Sequence, residues 1–114
     1  MSPPTSPALP LLKGTLDLLL LKALTWGPSH GFALAQWLED RSRGDMSFDD
    51  SALYHALHRL EAQGAVAGTW AVTENGRRAR YYRLTSAGTR RLRQEADTWQ
   101  RYARLVGRIL ALNA

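Results

Sequence analysis

Residues 49–84 read DDSALYHALHRLEAQGAVAGTWAVTENGRRARYYRL, and the punctuation of this stretch decides the fold. Asp49, Asp50 and Ser51 offer side-chain acceptors and negative charge. A helix needs both at its start, where N–H groups lack partners and the dipole is positive. Gly64 closes the segment. Within it Leu53, Leu57 and Leu60 recur at helical steps with Ala56 beside them, so one face is apolar. The opposite face carries Ser51, Ala52, His55, His58, Arg59 and Ala62. It is short, polar and partly cationic, as a helix lying in a major groove should be.

Val66 to Thr73 and Arg78 to Leu84 then flank Glu74-Asn75-Gly76-Arg77. Asn-Gly tolerates positive φ at both central positions of a tight turn, so these runs predict a β-hairpin. Upstream, Leu12 to Trp26 places Leu16, Leu19, Leu20, Ala23 and Leu24 on one helix face, and Gly27-Pro28 stops it. A second helix is expected from Gly31 to Ser42, with Phe32, Leu34, Ala35 and Leu38 inward and Gly44 as its stop. Three helices followed by a hairpin make a winged helix-turn-helix, mainly α with one β-hairpin.

Thr85 caps a final helix expected from about Ser86 to about Leu112, ~40 Å long at ~1.5 Å per residue. Leu92, Ala96, Trp99, Ala103, Val106 and Leu110 alternate three- and four-residue steps, with Tyr102, Leu105, Ile109 and Leu112 as a second stripe. A helix apolar on two faces requires a partner, and a homodimer through Leu92, Ala96, Trp99, Tyr102, Ala103, Val106, Ile109 and Leu110 is the economical one. The expected organisation is an N-terminal arm over residues 1–10, a winged helix domain over 11–85 and a dimerisation helix over 86–114.

The remaining composition narrows the class. At 114 residues the chain has room for one domain and a docking element. Zero cysteines exclude a disulfide scaffold and thiolate zinc, leaving a reducing cytoplasm as the simplest compartment. The apolar run Leu18 to Leu21 is far below the ~20 residues that span a bilayer, so no membrane partner is expected. Residues 1–76 carry five Lys/Arg against eight Asp/Glu, a net of −3, whereas residues 77–114 carry ten Arg against two acids, a net of +8. Arginine's planar fork matches phosphate oxygens and guanine edges, so the asymmetry favours double-stranded DNA as partner over a plain solvated surface.

Three motifs in order resemble the PadR-like transcriptional regulators. Gly27-Pro28-Ser29-His30-Gly31-Phe32 is similar to that family's G-P-x-H-G-[YF]; Leu53-Tyr54-His55-Ala56-Leu57-His58-Arg59-Leu60-Glu61 to its L-Y-P-A-L-x-R-L-E; and Arg77-Arg78-Ala79-Arg80-Tyr81-Tyr82-Arg83-Leu84-Thr85 to its R-R-x-[KR]-Y-Y-x-L-T. Chain length and the single terminal helix resemble its short subfamily. The resemblance implies a regulator that represses nearby genes, often for transport, detoxification or stress, and dimerises through that helix. It also implies that a small planar aromatic effector could release the DNA. Ser51, Ala52 and His55 depart from the family's glycine, small polar residue and proline, on the face expected to read bases.

The candidate DNA contacts are therefore Ser51, Ala52, Tyr54, His55, His58, Arg59, Arg77, Arg78 and Arg80. Tyr54 either packs between helices or sends its hydroxyl to a phosphate; Arg59 either reaches DNA or pairs locally. His55 and His58 lie one turn apart but lack a third ligand at zinc spacing, so no metal is assigned. Trp99, with Ala96 and Ala103 one turn to either side, is either dimer core or the wall of a slot for the planar effector. Trp26, Trp37 and Trp70 are expected in core or strand, and Gly107 at a close helix crossing. There is no G-x-S-x-G elbow and no phosphate-binding glycine loop, so neither catalysis nor a cofactor is expected. Two rivals remain: a winged-helix protein-interaction adaptor that ignores DNA, and a basic RNA-binding protein.

Overall fold

The computed structural model describes residues 14–46 and 48–113. The expected arm at 1–10 and the expected helix start at Leu12 lie outside the described residues. Helix α1, Thr15–Ala23, passes into a 3₁₀ turn at Leu24–Trp26 rather than continuing as one α-helix. The Thr25 hydroxyl donates to the Lys22 carbonyl at 2.7 Å, and Gly27 turns away at φ 128° ahead of Pro28. Leu16, Leu20, Leu21, Ala23 and Leu24 are buried, along with Asp17.

Ser29–His30 forms a short strand, β1, between the Gly27-Pro28 stop and the second helix. His30 then caps helix α2, Gly31–Ser42, its Nδ1 accepting the Ala33 N–H at 3.3 Å. Leu34 and Leu38 enter the core, but Phe32 is 78% exposed, contrary to expectation. At ~100° per residue it points about 200° away from Leu34. Arg43 and Gly44, both at positive φ, end the helix. Helix α3 spans Asp50–Ala62, with Asp49 accepting the Ala52 N–H at 3.3 Å. Leu53, Ala56, Leu57 and Leu60 all face the core, as their spacing predicts.

Strands β2, Val66–Val72, and β3, Arg78–Leu84, pair antiparallel, with Trp70 opposite Arg80 and Val72 opposite Arg78. β1 adds to the other edge of β3, giving the order β1-β3-β2. The tip differs from the expected turn: Gly76 alone takes positive φ, at 79°, and Asn75 does not. The Gly76 N–H donates to the Thr73 carbonyl at 2.9 Å and the Thr73 N–H to the Arg77 carbonyl at 2.7 Å. This is a three-residue loop closed by a glycine bulge, which spares Asn75 a left-handed conformation.

Helix α4, Ser86–Leu110, starts at Thr85, whose hydroxyl accepts the Gly88 N–H at 3.0 Å and reaches the Gly64 carbonyl at 2.6 Å. It ends two residues before the expected Leu112, because the Leu112 N–H bonds three residues back, to Ile109, and tightens the last turn. Leu92 packs into the core at 9% exposure. The molecule is a winged helix domain with one long helix projecting from it. Among the described residues no helix is long and apolar enough to cross a membrane.

Candidate nucleic-acid interface

Burial of the four apolar α3 side chains turns Ser51, Ala52, Tyr54, His55 and His58 outward, all of them exposed. Tyr54 is 56% exposed rather than packed between helices. Its ring lies 4.2 Å from that of His58 at 44° and 5.9 Å from that of His55 at 71°, so three rings form one surface ridge. The hydroxyls, ring nitrogens and ring edges on this ridge can donate and accept along a groove.

Arg59 behaves otherwise. Its Nη2 donates to Asp17 Oδ1 at 2.6 Å and its Nε to Asp17 Oδ2 at 3.3 Å, so the fork grips α1. Arg91 of α4 approaches the same carboxylate at 3.7 Å while donating to Glu95 at 2.8 Å and Gln63 at 2.5 Å. Of the two roles the sequence left open for Arg59, the structure shows the local pairing, with the side chain still half exposed. Asp17 was missed as a functional residue. Its signal was an acid set between Leu16 and Leu18 to Leu21, where only a paired carboxylate is tolerable.

The wing arginines also divide. Arg77 and Arg78 are exposed at the hairpin tip, with the Arg78 guanidinium 5.2 Å from the Trp70 ring centre. Arg80, two residues into the strand, turns inward: its Nη2 lies 2.5 Å from Glu61 Oε2 and its guanidinium 5.7 Å from Trp70. The expected cluster of three outward arginines is therefore two. Glu61 also accepts the Gly68 N–H at 3.2 Å. Chiefly the Arg80 hydrogen bond holds the Glu61 carboxyl below its ordinary value of 4.5. Burial raises the neighbouring Tyr82 phenol above 10.0. Between wing, α2 and α3, Phe32, Leu53, Tyr54, Leu57 and Trp70 line a concavity of about 410 Å³.

On α4, Leu92 faces the core of its own chain and is not free to meet a partner, a correction to the expected seam. Beyond it Trp99, Tyr102, Val106, Ile109 and Leu110 are exposed, Leu105 beside them, and Ala96 and Ala103 are half-buried. Trp99 and Tyr102 also border a groove of about 410 Å³ against α1, with Asp17, Leu18 and Arg91 in its walls. Trp26 is 72% exposed, not core, whereas Trp37 packs against the core and Trp70 sits on β2.

Comparison with known proteins agrees with this architecture. The model of the transcriptional regulator PadR-like family matches residues 20–94. A PadR family transcriptional regulator from Eggerthella lenta is 34% identical, superposes with a TM-score of 0.77, and is matched over 89% of this chain and 86% of its own. A PadR-like regulator from Bacillus cereus, 22% identical with a TM-score of 0.76 over 90% of this chain and 97% of its own, shares the fold. A Lysinibacillus sphaericus protein is 24% identical over 89 residues, 78% of this chain and 82% of its own. With the family model spanning the end of α1, all of α2 and α3, the wing and the start of α4, the chain belongs to the PadR-like family of transcriptional regulators, DNA-binding regulators rather than enzymes.

Proposed function

We propose that the protein is a homodimeric cytoplasmic repressor that reads an inverted-repeat operator with the outward face of α3 and grips flanking phosphates with Arg77 and Arg78. The observation that carries this reading is the division of α3: every leucine is buried, while Ser51, Ala52, Tyr54, His55 and His58 are unobstructed. Base edges are read by such short polar side chains, and phosphates by exposed cations. The exposed stripe from Trp99 to Leu110 supports the dimer, because an apolar helix face of this length in water favours a second copy. A Cβ at Gly107 would meet no neighbour within 4 Å in the single chain, which leaves room for a close partner.

The groove that Trp99 and Tyr102 border against Leu18 of α1 supports a planar aromatic effector stacked on the Trp99 ring. Such a molecule acts only by binding the DNA-free arrangement more tightly than the DNA-bound one.

A salt-titrated binding assay with the duplex upstream of the protein's own gene tests the reading. Arg77→Ala/Arg78→Ala should weaken all sequences alike and reduce the slope of log affinity against log salt by roughly one unit per lost phosphate contact, about two in all. His55→Ala should shift base preference instead. Unchanged affinity and slope in the double variant would remove the wing from the interface.

A further inference from the structure

We propose that Glu61 and Arg80 form a clamp that fixes the angle of the wing against α3, so that Arg80 governs DNA affinity as a positioning residue without touching the duplex. The inference rests on the reading that α3 and the wing together face DNA. The side-chain hydrogen bonds from α3 to the two hairpin strands, among the described residues, converge on Glu61: one from the Gly68 N–H at 3.2 Å and one from Arg80 Nη2 at 2.5 Å. Beyond them, Thr69 to Val72 on β2 and Arg77 and Arg78 on the return are exposed. The hairpin therefore projects from the core with its base held by the β1–β3 backbone pairing on one edge and by this one side-chain anchor to α3.

The anchor is shaped for a guanidinium. A Cβ at position 68 would lie 2.6 Å from Arg80 Nε and 2.9 Å from both Cζ and Nη2, so the flat group occupies the space a side chain would take. Trp70 sits 5.7 Å away and adds a cation–π contact. With a donor committed to Glu61, an edge on the Gly68 backbone and a ring beside it, Arg80 would have to abandon three partners to reach a phosphate. Arg78 would give up only its contact with the Trp70 ring, and Arg77 makes no ion pair among the described residues. A wing held at one angle presents them already ordered, whereas a loose wing must be ordered on binding, which lowers affinity without changing the number of ions released.

The test uses the full-length chain, its upstream duplex and the variants Glu61→Gln, Arg80→Ala, Arg80→Lys and Glu61→Gln/Arg80→Ala. Two readouts are taken: affinity against salt, and amide hydrogen exchange without DNA. The clamp predicts that Glu61→Gln and Arg80→Ala each weaken binding about three- to tenfold and that the double variant is no worse than either, because they break one interaction. Salt slopes should stay within about 0.3 of wild type. Amides of Thr69 to Arg80 should exchange faster while those of α1 and α4 do not. Arg80→Lys should fail to restore affinity, since an ammonium cannot fill the flat site over Gly68, whereas it would serve a phosphate well.

A slope reduced by about one unit in Arg80→Ala, restored by Arg80→Lys and untouched by Glu61→Gln, would make Arg80 a phosphate contact and overturn the proposal. Unchanged wing exchange in Glu61→Gln with normal DNA binding would sink the clamp alone. A wild-type chain that binds no duplex would sink the DNA-contact reading and with it the clamp's part in affinity.

Discussion

Asp17 is the side chain on which three helices converge. It is 7% exposed on α1 and holds Arg59 of α3 while Arg91 of α4 stands 3.7 Å away. Replacing it with asparagine keeps shape but removes the charge that offsets two guanidinium groups. The Arg59 side chain is 50% exposed, so water recovers part of that loss. Asp17→Asn should lower stability by about 1–2 kcal/mol, seen as a reduced urea midpoint at unchanged slope. Glu61 makes a pH-dependent counterpart. Its folded carboxyl titrates below the ordinary 4.5, so its contribution is fully present above that value and is lost as pH falls through the lower folded one. As pH falls below the ordinary 4.5, wild type should lose stability more steeply than Glu61→Gln, a difference that thermal unfolding across pH measures. Neither residue was legible as functional in the sequence, because Asp17 and Arg59 stand 42 positions apart and Glu61 and Arg80 stand 19 apart. Charge counting treats every arginine of the wing alike; only the fold reveals which of them is already engaged.

The elements were more legible than their partners. Leu53, Leu57 and Leu60 predicted the buried face of α3 because a helix's own period decides which side chains share a side. Phe32 failed by the same rule, being two residues from Leu34. The hairpin was visible in Asn75-Gly76, but its loop type was not, since a glycine bulge satisfies the same dipeptide. Leu92 was assigned to the dimer seam because periodicity runs without a break along α4, although the first turns of that helix pack on their own domain. The seam should therefore begin near Ala96. Ile109→Asp, at a site 62% exposed in the single chain, should leave the winged domain folded and yield a monomer by sedimentation with operator affinity reduced at least tenfold, an order-of-magnitude figure for losing a coupled half-site. A variant that remained dimeric would place the seam elsewhere on the helix.

Only the assembled molecule determines how DNA sites must be spaced. One winged domain offers one reading helix and two outward wing arginines. That footprint is too small for a regulator to find a single operator among many competing sites. In the proposed dimer, two copies related by a two-fold axis at α4 would present two α3 helices, and each could enter a major groove on the same side of the duplex only when half-site centres lie about one helical turn, ~10 bp, or a multiple of it apart. In the proposed dimer the projecting α4, 25 residues and so ~37 Å long, would act as a rigid spacer rather than a tether. Inserting about 5 bp between half-sites should turn one of them to the far side of the duplex and cost most of the specific affinity; about 10 bp should bring it back to the same face. Partial recovery at about 10 bp is the expected result, because the helices must also bridge the added length. Footprinting over the insertion series should show both half-sites protected without an insertion and at most one at about 5 bp. Equal protection at every spacing would mean that the two reading helices act independently, and that α4 does not fix their separation.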